Sequence, residues 1–200
     1  MTPLFRFGWW RLGIVAGLIG ALCTAHGIAA QQSAFEVSSH VRPTNSRLIA
    51  ALGRGFALSP TMHGLIVDID AAPVIVYLHD AGCPSGAESC LMIGAATGGV
   101  RYLHVNFRLT DVRRNRFLDF QDRLVAQIAH ELQHALEIAR HASIVDGASL
   151  AARYRQLGKD QTRGARTFET AEALLAGRTV LRELAASHFG NAAAIGLERR

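Results

Sequence analysis

Residues 117–140 run without a proline or a glycine, and such a stretch reads most simply as one long helix around which the rest of a 200-residue chain has to be arranged. Stepping about 100° per residue, Leu124, Val125, Ile128, Leu132, Ala135 and Ala139 gather on one side of it. His130, His134 and Glu137 gather on the other. The histidines thus form a polar stripe opposite an apolar face, a segregation that histidines satisfied inside a core would not need.

The stripe contains His130-Glu131-Leu132-Gln133-His134. Positions i and i+4 lie one above the other on a helix, so two imidazoles there can reach one Zn²⁺ at about 2.0–2.1 Å. Glu131, about 100° around from His130, then comes beside the metal, placed to take a proton from a bound water. Such a short motif also arises by chance, and the uninterrupted helical context is what gives it weight. The pentapeptide resembles the HExxH motif of the zincin metallopeptidases, and it is the one specific motif in the chain. The order of elements from about residue 46 to 188 is similar to a zincin's as well.

Catalytic zinc needs a third protein ligand and an open position, and here the resemblance guides the choice. In metzincins a third histidine follows the second by six residues, with a glycine between. Arg140 and Glu137 hold those places, and His141 comes one residue late. A chain that continues helically past the motif is more similar to the gluzincins, whose third ligand is a glutamate on a later helix. Glu169 and Glu172 both lie where such a helix is expected to start, a position that suits acids through the helix dipole in any case. Glu169 ranks first, because Ala173 four residues on is small enough for close packing against the active helix. Glu172, Asp146 and His141 are the alternatives. Many gluzincins have an acid where Ala173 stands, so the group orienting the first histidine is unassigned. Glu137, on the histidine stripe, is either such an orienting group or a surface acid.

The resemblance implies a function, which with the N-terminus described below is that of an exported zinc-dependent metallopeptidase with Zn²⁺ on His130, His134 and Glu169. Bound water is acidified by the metal, and Glu131 acts as general base toward a peptide or protein substrate. Tyr154, His104 and His188 are candidates for the donor to the developing oxyanion, with no spacing rule choosing among them. In zincins the strand before the active helix forms the cleft edge and pairs with extended substrate, a place that residues 100–109 occupy in the order. The alternatives are an inactive zincin-like metal-binding or scaffold module of the cell envelope, and an exported structural protein carrying an incidental motif.

The N-terminus reads as a signal peptide over residues 1–30. Arg6 and Arg11 precede an apolar run at 12–22, and small residues lead to Ala30. That run is short and glycine-rich for a membrane span, so export to the periplasm or medium is expected, with an uncleaved anchor as the minor alternative. Leu22 before Cys23 argues against lipidation. The formal charge is +5, and two of the arginines behind it leave with the signal. Lys159 is the single lysine, and the run Arg113, Arg114, Arg116 has no interleaved aromatic platform, so nucleic acid is not an expected partner. Cys83 and Cys90 remain after export and are expected to form a disulfide.

The expected fold is α+β: a small mixed or antiparallel sheet packed on the long active-site helix, followed by C-terminal helices. Residues 31–45 read as a linker, 46–190 as the metallopeptidase domain and 191–200 as a tail. A helix through Leu48, Ile49, Leu52 and Phe56 leads to Ser59-Pro60, then to 64–70 as a short helix or strand. Residues 73–79 and 100–109 read as strands, and the glycine-rich stretch 80–99 as an irregular excursion. Beyond the active helix, Ser149 begins a second helix. Thr167 is expected to cap a third, with Leu174, Leu175, Val180, Leu181 and Leu184 on its apolar side.

Overall fold

The β-branched, alternating segments supply the sheet. The computed structural model describes residues 38–109, 120–156 and 169–197, the side chains of the last helix only as far as His188. Residues 1–30, expected to form a signal peptide, and residues 31–37, the arginine run at 113–116, Lys159, Thr167 and Phe168 lie outside the described residues. Among those described, the order is β1 (Val41–Pro43), α1 (Ser46–Leu58), α2 (Pro60–Asp70), β2 (Val74–Asp80), β3 (Ser89–Thr97), β4 (Val100–Phe107), α3 (Phe120–Ala139), α4 (Gly147–Gln156) and α5 (Ala171–Leu197). The fold is α+β, with a four-stranded mixed sheet in the order β1-β2-β4-β3. β1, β2 and β4 run parallel, and β3 is antiparallel to β4. No described helix is long and apolar enough to cross a membrane.

Val74, Val76 and Leu78 of β2 and Leu103, Val105 and Phe107 of β4 point to one face and are fully buried under the helices. The helix α3 packs on β2 and β4, and its Leu124, Ile128 and Leu132 are fully buried as well. Arg101 lies on the same buried face of β4. Its guanidinium donates to the carbonyls of Ile138, Ala139, His141 and Ile144 at 2.6–3.1 Å. Carbonyls at a helix C-terminus lack intrahelical partners, and a cation there also complements the dipole. One arginine therefore fixes the far end of the helix that bears the histidines.

Several expectations are corrected. The stretch 80–99 is not wholly irregular: β3 occupies its second half. It turns into β4 through Gly98 and Gly99, whose φ of 59° and 80° are those a two-residue hairpin turn requires. Consequently β4 is an interior strand, and β3 is the edge. The sequence expectation put 100–109 at the cleft edge, because order along the chain does not reveal order across a sheet. Residues 64–70 are helical, in an α2 started by Ser59 as cap and Pro60 in the first turn. β1 falls within 31–45 and pairs with β2, so this part of the lead-in is ordered in the sheet. α4 starts at Gly147 rather than Ser149, with Asp146 Oδ1 accepting from Ser149 N at 2.7 Å.

α5 begins later and runs further than expected. Thr170 is its cap, accepting from Ala173 N at 3.0 Å, and the helix continues to Leu197, well into the presumed tail. Its buried side is Ala173, Ala176, Val180 and Leu184, whereas Leu174 and Leu175 are exposed. Small residues turn inward because α5 crosses α3 closely: a Cβ on Gly177 would sit 3.1 Å from Ala126 O.

Farther along α5, Glu183 ties the helix to the start of α2. Its carboxylate accepts from Ser59 Oγ, from Thr61 N at 3.2 Å and from Thr61 Oγ1 at 2.7 Å. Burial raises the carboxyl pKa, but these hydrogen bonds outweigh it and hold the group below its usual 4.5. A depressed folded pKa means stability that is present above the unfolded value and lost as pH falls through the folded one. Glu183→Gln is therefore expected to lower the thermal midpoint at pH 7 and to approach wild type well below pH 4.5. Melting curves across that range check it.

Candidate metal centre

His130 and His134 sit one turn apart near the middle of α3, with Glu131 between them. Their Nε2 atoms are 3.2 Å apart and their rings nearly perpendicular, at 81°. Glu169, two residues before α5, brings its Oε2 to 3.2 Å from His130 Nε2. The three donor atoms lie within 4.8 Å of one another and could hold a metal ion. Two ligands about 2.0–2.1 Å from a tetrahedral ion stand about 3.3–3.4 Å apart, close to both 3.2 Å separations. Glu169 Oε2 is buried and meets His130 Nε2 as an ion-pair contact without an aligned hydrogen bond. A buried polar atom without a hydrogen bond costs free energy, and a cation between the three donors would satisfy it.

Electrostatics agree with that arrangement. Burial lowers the His130 pKa, but Glu169 and Glu131 beside it raise it overall. His130 in turn holds the Glu169 carboxyl below its ordinary value against partial burial. For Glu131, only 5% exposed, burial dominates and raises the carboxyl despite the Ser89 hydrogen bond and the two histidines. A raised carboxylate is a stronger base, the direction a proton acceptor needs.

His134 is oriented from behind. Its Nδ1 lies 3.2 Å from Glu137 Oε2 and 3.1 Å from the Tyr154 hydroxyl. With Nδ1 carrying the proton, Nε2 is left as the lone pair facing the site. Tyr154 itself donates to Glu137 Oε2 at 3.0 Å, and Thr170 Oγ1 donates to Oε1 at 2.6 Å. Burial alone would raise the Glu137 carboxyl, yet these partners hold it low. Thr170 also caps α5 immediately after Glu169, so one carboxylate ties the second histidine to the segment bearing the candidate third ligand. Outer partners of this kind typically change metal affinity by about 10–100-fold. Glu137→Gln is expected to weaken metal binding by that factor, read by competition with a chromogenic chelator.

Other predicted residues lie elsewhere. Glu172 is exposed in the first turn of α5 and, with His141, lines a separate cavity of about 300 Å³ behind Glu137. Asp146 is exposed and engaged as the cap of α4. Glu169 precedes its helix instead of lying within the first turn, although Ala173 is fully buried as close packing requires. Among the expected oxyanion donors, His104 is on the half-exposed face of the sheet, 3.0 Å from His79. His188 is bonded to Asp122 at 2.8 Å and faces Arg54. Tyr154 lines the site, but its hydroxyl is engaged with Glu137 and His134.

Two adjoining cavities open at the centre, of about 440 and 110 Å³, and Ser89, His130, Glu131 and Glu169 line both. The expected disulfide between Cys83 and Cys90 is present, with Cα atoms 5.9 Å apart. It closes a loop that forms one wall, from which Ser89 Oγ donates to Glu131 Oε1 at 2.7 Å. No local pattern pointed to Ser89 or Thr170, since their partners are far away in sequence, and Tyr154, expected as an oxyanion donor, is instead bonded to His134 and Glu137. Glu137 was marked only by its place on the histidine stripe. Comparison with protein-family models, with curated proteins and with solved structures found no match to this chain.

Proposed function

We propose that this chain is an exported zinc metallopeptidase of gluzincin type, with His130, His134 and Glu169 as ligands and Glu131 as general base. The observation that carries the reading is the meeting of three converging donors, one a buried carboxylate oxygen without an aligned hydrogen bond, beside a second buried carboxylate that is not needed as a ligand. Two imidazoles with one carboxylate also suit non-haem iron, but a second buried carboxylate beside the donors and outside their set is the group that hydrolysis needs as proton acceptor. Zinc at this position would supply a Lewis acid that acidifies water and polarises a peptide carbonyl.

The chain's own groups do the rest. Glu131 accepts a proton as water adds to the carbonyl carbon, then delivers it to the amine as the C–N bond breaks. Glu137 and Tyr154 keep His134 in one tautomer and orientation. β3 has no further strand on its outer side among the described residues, and its first residues, Ser89, Cys90 and Leu91, line the smaller cavity. An extended peptide can add to that edge by backbone hydrogen bonds and so lie across the site. The disulfide suits an oxidising compartment, in keeping with the signal-like N-terminus.

The test is elemental analysis of the purified mature chain, combined with hydrolysis of a mixed peptide library before and after chelation. One equivalent of zinc with chelator-sensitive cleavage is expected. Stoichiometric zinc without cleavage of any peptide would favour a metal-binding scaffold, and absence of bound metal would remove both readings.

A further inference from the structure

Ser89 stands at the junction of three constraints. It is the first residue of β3, paired opposite Phe107 on the buried face of the sheet. It is directly bonded to Cys90, whose disulfide with Cys83 closes the loop before it. Its hydroxyl is 2.7 Å from Glu131 Oε1. The loop is held on both sides as well. Arg108 N donates to Glu88 O at 2.9 Å from the end of β4, and Gln127 Nε2 donates to Glu88 Oε2 at 2.8 Å from α3. None of these contacts binds the candidate metal or lies among its three donors.

We propose that Ser89 is a positioning residue for Glu131, and that the Cys83–Cys90 bond serves the site by holding Ser89 in place. This rests on the reading of Glu131 as general base. A glutamate has three rotatable side-chain bonds, and its carboxylate must present one oxygen to the attacking water while the other is occupied elsewhere. The Ser89 hydroxyl occupies Oε1, which restricts the carboxylate to orientations in which Oε2 is the free acceptor. Small misplacement of a reacting group, on the order of 1 Å, can cost about 100-fold in rate. The disulfide acts one bond further out. Without it the loop is fastened by hydrogen bonds and the Glu88–Arg123 ion pair alone, and the edge-strand terminus that carries Ser89 gains freedom.

The experiment compares Ser89→Ala, Ser89→Thr, the double variant Cys83→Ser/Cys90→Ser and the combination of Ser89→Ala with that double variant, all as full mature chains. Zinc content, kcat and KM are measured, together with the infrared bands of the Glu131 carboxyl group in the zinc-free protein. Those bands are isolated by difference against Glu131→Gln. Ser89→Ala is expected to keep one equivalent of zinc and a KM within about twofold of wild type, while kcat falls about 10- to 100-fold and the Glu131 band moves. Ser89→Thr, which restores the hydroxyl, is expected to recover most of both. In the chain lacking the disulfide, Ser89→Ala is expected to cost less than in wild type, because the two act through one contact.

Unchanged kcat in Ser89→Ala while wild type is active would overturn the proposal, as would loss of zinc in step with activity. Full additivity of Ser89→Ala with the cysteine variant would overturn the disulfide's part. If wild type cleaves nothing, the peptidase reading fails on its own. The infrared band then decides the placement: a shift in Ser89→Ala reversed by Ser89→Thr supports it, and an unmoved band overturns it.

Discussion

Glu131→Gln is expected to retain one equivalent of zinc and to lose about 10²–10⁴-fold in kcat. Glutamine has the size of glutamate and still offers an oxygen to the Ser89 hydroxyl, so the wall formed by the disulfide loop should stay in place. The three donors of His130, His134 and Glu169 are untouched, which is why metal should remain. What disappears is the ability to accept a proton. Stability is expected to move the other way. Burial raises the Glu131 carboxyl, so its charge is held in the folded protein at a cost that a neutral amide avoids. The zinc-free variant should therefore melt at the same temperature as zinc-free wild type or above it, a pattern typical of groups retained for function rather than for folding. Metal analysis, turnover and thermal midpoint on one preparation test all three parts. Loss of zinc together with activity would contradict the assignment of Glu131 as a group beside the metal.

The helix that carries Glu131 was legible because it depends on local properties. Residues 117–140 lack breakers, and the described part, from Phe120, is helical to Ala139. The apolar faces of β2 and β4 were legible for the same reason, since alternation at period two is imposed by the backbone. Arg101 is the exception on β4. Its charge sits on the buried face because the carbonyls at the end of α3 arrive there, which only the tertiary arrangement reveals. β3 was hidden by its composition: Leu91-Met92-Ile93 is a strand-like run, but the glycines around it read as a loop. Once β3 pairs with β4, the edge of the sheet changes identity, and with it the surface available to an extended peptide. On α5 the expected apolar side holds at Val180 and Leu184, and the expected close packing holds at Ala173, but Leu174 and Leu175 are exposed. A close crossing with α3 selects Ala173, Ala176 and Gly177, and leaves Leu174 and Leu175 outside. The histidine pair could be read from i and i+4 spacing, whereas Ser89 is 42 residues from Glu131 and has no pattern to announce it.

Glu169→Ala is expected to weaken zinc binding by more than about 100-fold, beyond what loss of an outer partner produces, while Glu172→Ala stays within about twofold of wild type. The two glutamates are three positions apart and both acidic, so composition and helix dipole treat them nearly alike. Geometry does not. Glu169 Oε2 is 3.2 Å from His130 Nε2, whereas Glu172 opens on the cavity behind Glu137. Thermal denaturation gives an independent reading of the same difference. A ligand that binds only the folded state stabilises it by about 2.7 kcal/mol when present at 100 times its Kd. Wild type and Glu172→Ala should therefore show a clear rise in midpoint on adding zinc, and Glu169→Ala at the same free zinc should show little or none. Without zinc, Glu169→Ala should still fold, because what it removes from the apo protein is the contact of a half-exposed carboxylate with His130. If Glu169→Ala keeps the full zinc-induced rise, the third ligand is not this carboxylate, and the gluzincin-type reading falls even though the histidine pair stands.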